Sequence, residues 1–138
     1  MGIEGEGKNF DTVLEGRGSY EIGLEAGTTN AYPHLRHLVF SRTMRESPDP
    51  SVELVGSDPL DTARKLKAED GLDLWIVGGG TLAHALLPEI DQLILKQHSS
   101  VIGAGIPMFN GPFQRHSFSL TDERRLDSGV RILTLDRS

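Results

Sequence analysis

Leu72-Asp73-Leu74-Trp75-Ile76-Val77-Gly78-Gly79-Gly80-Thr81-Leu82-Ala83-His84-Ala85-Leu86-Leu87-Pro88 is the stretch that decides the fold. Leu74 to Val77 is a short continuous apolar run, as expected of a strand buried on both faces. Three glycines follow. Leu82, Ala83, Ala85, Leu86 and Leu87 then place apolar residues at helical spacing, and Pro88 stops them. The glycines therefore sit where a strand becomes a helix. The first N–H groups of a helix lack internal partners, and the helix dipole adds partial positive charge there. Bare glycine backbone at such a point suits an anion, most naturally a phosphate. The triplet is also compatible with a plain tight turn. It is neither the GxGxxG fingerprint nor a Walker loop, because no Lys-Ser/Thr follows.

Outward from that stretch, strands alternate with helices. Phe10 to Leu14 is a strand candidate ending at Gly16, and Arg17-Gly18-Ser19-Tyr20-Glu21 opens a short helix. Gly27 to Pro33 is a loop, Leu35 to Phe40 a strand, and Val52 to Val55 a shorter one. Asp58-Pro59 starts a helix, with Asp as N-cap and Pro at the first helical position. Leu60, Ala63 and Leu66 share one face of it, and Gly71 is expected just past its end. Leu93-Ile94-Leu95 is the next buried strand. Val101 to Phe109 is an apolar loop broken by Gly103 and Gly105. Phe118 to Leu126 and Val130 to Leu135 form a hairpin around Asp127-Ser128-Gly129. The pattern predicts an α/β domain with a mostly parallel sheet and an antiparallel edge.

The totals narrow the functions. With 138 residues the chain suffices for one domain with a core. Residues 1–9 are Gly- and Glu-rich and read as a loose lead-in; residues 10–138 read as the single domain. A net charge of −6 offers no basic face for nucleic acid. No apolar run approaches the roughly 20 residues of a membrane helix, and no signal peptide opens the chain. Cysteine is absent, which excludes disulfides and thiolate chemistry. A cytoplasmic location is the default. The five histidines, His34, His37, His84, His98 and His116, form no close metal-ligand pair, so no metal is assigned. No Ser stands in a nucleophile motif.

Four stretches together resemble the dihydrofolate-reductase-like superfamily, and more closely its stand-alone bacterial members related to the reductase domain of the riboflavin-biosynthesis deaminase–reductase. They are Asp11 to Glu21, Val39-Phe40-Ser41-Arg42-Thr43, Trp75-Ile76-Val77-Gly78-Gly79-Gly80, and Val101 to Phe109. Their order and spacing fit from about Phe10 to the C-terminus. The resemblance implies a three-layer fold with helices on both faces of the sheet. It implies NADPH as cofactor, a homodimer, and hydride transfer to a small pyrimidine- or pterin-type substrate. The reaction class implied is that of 5-amino-6-(5-phosphoribosylamino)uracil reductase.

Carried onto this chain, the resemblance gives Gly16, Arg17 and Ser19 a place at a helix N-terminus facing the cofactor phosphates. Ser19 stands where the family often has Thr, and a hydroxyl survives. Ser41, Arg42 and Thr43 end a parallel strand, with Ser41 and Arg42 expected on the 2′-phosphate. Arg suits that task because its planar fork matches phosphate oxygens. Gly78, Gly79, Gly80, Thr81 and Leu82 are expected along the pyrophosphate and the nicotinamide side. A cis peptide between Gly78 and Gly79 is implied too. Gly103, Gly105, Ile106 and Pro107 are expected on the substrate side, at the mouth. No catalytic acid can be named.

Two departures matter. Val77 stands where riboflavin-pathway reductases often have an acidic residue, which leaves the substrate open. The family also begins with a further strand, which lies inside the sheet between the strand at Leu74–Val77 and the one at Leu93–Leu95 or a near neighbour. Its absence leaves backbone donors and acceptors to be paired some other way. The alternatives are that the flanking strands close on each other, that Met1–Asn9 fills part of the gap, that a second subunit covers it, or that the chain is a truncated product or has a mis-called start. A catalytically inactive module that binds a nucleotide, or only keeps the fold, is the alternative to a reductase.

Overall fold

The computed structural model describes residues 10–77 and 79–138. Met1–Asn9 and Gly78 lie outside the described residues. So do the expectations placed on them: the loose lead-in, the partial filling of the gap, and the cis peptide between Gly78 and Gly79.

The first sheet is parallel and runs β3-β2-β1-β4. Its strands are β1 (Phe10–Gly16), β2 (Arg36–Phe40), β3 (Val52–Val55) and β4 (Asp73–Val77). Parallel neighbours need crossover connections. Here α1 (Arg17–Glu25) joins the neighbours β1 and β2, and α2 (Pro59–Ala68) carries the chain from β3 at one edge to β4 at the other. A third helix, α3 (Gly80–Leu86), follows β4 and passes into a 3-10 turn at Leu87–Glu89 that contains Pro88.

β1 is central, so its side chains are buried on both faces. Leu14 packs with Leu38 and Phe40 of β2, Ala63 and Leu66 of α2, and Leu82 and Leu86 of α3. On the opposite face Tyr20 of α1 packs with Val39 and Val52. Alternation along a strand sends neighbouring residues to opposite faces, so Leu38 and Val39 serve different layers. The helices thus cover both faces, as expected.

α2 starts as its sequence predicts, with Asp58 Oδ1 accepting from Leu60 N at 3.1 Å. Its end differs. The helix stops at Ala68 and is capped by Glu69, and Gly71 is not one of the left-handed glycines. Gly71 answers to a close approach instead. The Asp11 carboxylate accepts from Leu72 N at 2.8 Å, and a Cβ on Gly71 would lie 2.5 Å from Asp11 Oδ2.

The second sheet is antiparallel, in the order β5-β7-β6. It holds β5 (Gln92–Gln97), β6 (Phe118–Arg125) and β7 (Arg131–Arg137). Leu93 pairs with Leu135 and Leu95 with Leu133. The chain is α/β, with a parallel part and a C-terminal antiparallel part.

The break between the sheets falls between β4 and β5, where the resemblance places a further strand. The two flanking strands have not closed on each other: among the described residues β4 is hydrogen-bonded only to β1, and β5 only to β7. A cavity of about 1120 Å³ lies between them, bordered by Leu74, Trp75 and Ile76 on one side and Leu93, Ile94 and Leu95 on the other. This corrects two expectations of burial. Leu74 to Val77 is half-buried rather than enclosed, and β5 alternates between half-buried and exposed. Among the described residues, nothing lies against the free edge of either strand.

Candidate functional site

The register brings three strand ends to one edge of the parallel sheet. Gly16 pairs with Phe40, and Glu15 with Val77. The segments that leave β1, β2 and β4 therefore emerge side by side. Ligands of open α/β sheets bind outside the carboxyl ends of the strands, and Gly16, Arg17, Ser41, Arg42, Thr43, Gly79 and Gly80 follow those ends.

Gly16 ends β1 in an extended conformation and caps α1 without a side-chain bond, and no acidic residue follows in the first turn. The leading N–H groups of that turn lack helix partners, and nothing negative opposes an anion on the turn itself. Gly79 enters α3 at φ +84°, a left-handed conformation that favours glycine. A Cβ on Gly79 would stand 3.9 Å from Ser19 Oγ, and one on Gly16 would stand 3.6 Å from Leu82 Cβ. Gly16, Ser19, Gly79 and Leu82 are thus neighbours across the two helix starts. Thr81 is exposed beside them. The Leu82 side chain turns into the core, at 7% exposure, so only its backbone can serve a ligand. Gly78 lies outside the described residues.

The end of β2 joins this edge through Arg17. Its Nη1 donates to Thr43 Oγ1, and its Nε donates to Glu21 at 2.7 Å. Ser41 is buried. Its Oγ accepts from Thr43 N at 3.2 Å and Met44 N at 3.0 Å, which shapes the turn that presents Arg42. Arg42 and Thr43 are exposed. Arg17 opens α1 and reaches Thr43, the neighbour in sequence of the exposed Arg42, in a chain of net charge −6.

The apolar loop meets the site at one end only. Asn110 N donates to Gly80 O at 2.9 Å, and a Cβ on Gly80 would lie 2.4 Å from Pro107 O. Pro107 therefore reaches the glycine junction, and only glycine fits under it. Ile106 precedes it at 93% exposure. Gly103 and Gly105 show no such close approach. A Cβ on Gly103 would touch nothing, and one on Gly105 only Ile102.

Sequence reasoning passed over the buried pair beneath this edge. His37 is fully buried, with Nε2 2.9 Å from Glu15 Oε1 and Nδ1 3.3 Å from Asn30 Oδ1. Tyr20 and Tyr32 set their rings edge-on to the imidazole. Burial, with Asp49 and Glu15 nearby, holds the Tyr20 phenol above its ordinary range; burial and Glu15 do the same for Tyr32. Both phenols stay protonated, and Tyr20 Oη donates to Thr29 O at 2.7 Å. The available signal was a carboxylate set inside an apolar strand, one residue before Gly16. It pointed to a buried partner without saying which. Among the described residues no three His, Asp or Glu side chains converge as metal ligands, and no helix is long and apolar enough to cross a membrane.

No protein-family model matches the chain. Two Bacillus subtilis (strain 168) proteins, both called uncharacterized, are similar to it. YyaP is 29% identical over 143 residues, covering 94% of this chain and 76% of its own length. YwjB is 30% identical over 134 residues, covering 90% of this chain and 72% of its own length. A crystal structure of a Shewanella sp. PV-4 protein, provisionally named for riboflavin biosynthesis, superposes with a TM-score of 0.78 at 24% identity. That match covers 93% of this chain and 74% of the other. Likeness at that identity speaks for the fold, and the fold is the α/β, dihydrofolate-reductase-like one. The identity to YwjB, across nine-tenths of the chain, places this protein in the same family as YwjB.

Proposed function

We propose that the chain is a reductase of the riboflavin-biosynthesis type that binds NADPH along the carboxyl edge of its parallel sheet. The observation that carries this reading is the neighbouring of Gly16, Ser19 and Gly79 at helix starts that no side chain caps. Bare backbone and orphan N–H groups suit a pyrophosphate, and the residues present fit the group. Gly16 and Gly79 leave room for close approach, Ser19 offers a hydroxyl, and Arg17 and Arg42 supply positive charge. Arg42, exposed at the end of β2, is the residue we assign to the 2′-phosphate; Ser41 fixes the turn that carries it. Pro107 and Ile106 border the nicotinamide side, and the backbone of Gly80, Thr81 and Leu82 lines it. When bound, NADPH supplies a hydride for a small pyrimidine- or pterin-type substrate. The Shewanella protein's provisional name, for riboflavin biosynthesis, is in keeping with this reading.

The test is a fluorescence titration with NADPH. Saturable enhancement is expected, with NADH binding more weakly. Arg42→Ala should cost about 1.5–3 kcal/mol of NADPH affinity, as for other charge-assisted hydrogen bonds, and should erase the preference over NADH. No change at millimolar NADPH overturns the reading. A second reading, nucleotide binding without hydride transfer, is favoured by the open cavity between β4 and β5. Binding with no turnover across a panel of pyrimidines and pterins would select it.

A further inference from the structure

The last turn of α3 carries His84, and residues 111–114 wrap its ring. A Cβ on Gly111 would lie 2.6 Å from His84 Cδ2, so the imidazole packs directly on that backbone. His84 Nε2 faces Pro112 O, and its Nδ1 lies 3.1 Å from Gln114 Nε2. Gln114 Oε1 is 2.9 Å from His116 Nε2, and His116 Nδ1 is 3.0 Å from Arg137 Nη1. An unbroken line of hydrogen bonds thus runs from α3 through the loop to β7.

The two ends of the line fix every proton in it. A guanidinium only donates, and a carbonyl only accepts. His116 Nδ1 therefore accepts from Arg137, and its Nε2 carries the hydrogen. That hydrogen meets the Gln114 oxygen, so the Gln114 amide nitrogen donates to His84 Nδ1. His84 Nε2 then carries a hydrogen to Pro112 O. Turning the Gln114 amide over would ask His116 to accept at both nitrogens, as only an anion can. A single state satisfies every link: both rings neutral, each protonated at Nε2. An added proton breaks a link wherever it goes. On His84 it sets an N–H against the Gln114 amide; on His116 it sets a second cation against Arg137.

We propose that His84 and His116 form a proton-operated clamp, which holds residues 107–116 on the glycine junction while both rings are neutral and releases them in acid. Among the described residues, the hydrogen bonds that tie this stretch to the rest of the chain are those of the line and Asn110 N to Gly80 O at 2.9 Å. Ile106 and Phe113 stand in solvent at 93% and 94% exposure, so their burial does not hold the loop. Pro107 O and Met108 O nevertheless pack over Gly80. The line is what keeps them there.

Histidine is the side chain that changes charge between about pH 5 and 8. The charged groups at the line are cations: Arg137 faces His116, and Arg115 adjoins it in sequence. Among the described residues the only imidazole in an ion pair is His37, with Glu15, so no carboxylate is paired with either ring of the clamp. The C-terminal end of α3 favours a cation at His84, which works with release in acid and not against it.

The reporter is the Asn110 amide, followed by hydrogen exchange and expressed as a protection factor, so that the intrinsic pH dependence of exchange cancels. From about pH 8 to about pH 5 its protection should fall about tenfold while that of β1 stays constant, as in local opening. Ring-nitrogen NMR shifts at the upper pH should show the Nε2–H tautomer for both His84 and His116. Gln114→Glu places between the rings a group that accepts from both, which suits the charged forms; Asn110 protection should then rise in acid. His84→Phe keeps a ring on Gly111 without its bonds, and protection should be low at both pH values. Constant protection in the parent, a Gln114→Glu response in the parent's direction, an Nδ1–H tautomer at either ring, or loss of β1 protection along with Asn110 overturns the proposal. If Gln114→Glu does not fold, the tautomers and His84→Phe decide. No readout involves a nucleotide, so the outcome is independent of the nucleotide reading.

Discussion

The two sheets of this molecule are built from similar strands and stabilised by different means. Among the described residues, every buried apolar side chain lies between Val13 and Ile90. The parallel sheet has helices on both faces; the antiparallel sheet, from β5 onward, contributes no buried residue at all, and Leu120 of β6 is more than half exposed. Burial is the main favourable term in folding, so the parallel half carries the stability. The antiparallel half is held by its own ladders and by the side chain of Arg137. That residue donates from Nε to Ile90 O at 2.7 Å and from Nη2 to Leu87 O, and it covers the Phe118 ring at 4.9 Å.

The largest effect should separate the halves. Leu14 is 1% exposed and central to the packed face. Leu14→Ala is expected to cost about 2–5 kcal/mol in urea unfolding, the usual range for a buried leucine. Leu133 of β7 is only half-buried, and Leu133→Ala should cost about 1 kcal/mol, roughly half the value of full burial. Equal losses would break the comparison.

Next comes the tie between the halves. Arg137→Ala removes two charge-assisted bonds to backbone carbonyls, worth about 1.5–3 kcal/mol. Amide exchange should quicken in β5, β6 and β7 while β1 and β2 stay protected. Uniform quickening would mean that the halves unfold as one unit.

A third test concerns the polar group buried in the stable half. Glu15→Leu leaves His37 Nε2 without its acceptor, at a cost of about 1–3 kcal/mol. Glu15→Gln keeps an oxygen there and should recover most of it, as read from thermal midpoints. If Gln is no better than Leu, hydrogen bonding by Glu15 is not what the site needs.

Legibility from sequence followed the same division. β1, β2, β3 and the start of α2 were readable because local pattern and tertiary packing agree there. The apolar runs at Leu74–Val77 and Leu93–Leu95 were equally readable as strands. Their burial was not, because hydrophobicity states a demand for cover and not whether cover is present. Gly71 was misplaced as a helix stop because its constraint comes from Asp11, sixty residues earlier in the chain, a contact no local pattern encodes. In the candidate site, the glycine junction was visible as a motif. The link from Arg17 to Thr43, and the approach of Pro107 to Gly80, are long-range contacts that only the fold reveals. The resemblance set Leu82 along the cofactor while its helical spacing asked for burial; its side chain packs in the core, which leaves its backbone for a ligand.

The smallest effect gives the sharpest comparison, because the two halves carry matched surface ion pairs. Arg36 holds Glu53 across β2 and β3 at 2.7 and 3.1 Å, and Arg131 holds Glu123 across β6 and β7 at 3.0 Å. The Arg36 hydrogen bonds keep the Glu53 carboxyl below its ordinary range. A depressed carboxylate contributes stability above its unfolded pKa and loses it as pH falls through the folded one. Arg36→Gln should therefore cost under about 1 kcal/mol at neutral pH, as for other exposed pairs. The difference from the parent should vanish in acid below the folded pKa and shrink with added salt. Arg131→Gln removes a similar pair from a sheet with no core beneath it. If burial alone divides the halves, the two variants will cost the same. If Arg131→Gln costs markedly more, and exchange in β6 and β7 rises with it, the antiparallel sheet depends on its surface pairs because it has nothing buried to rely on.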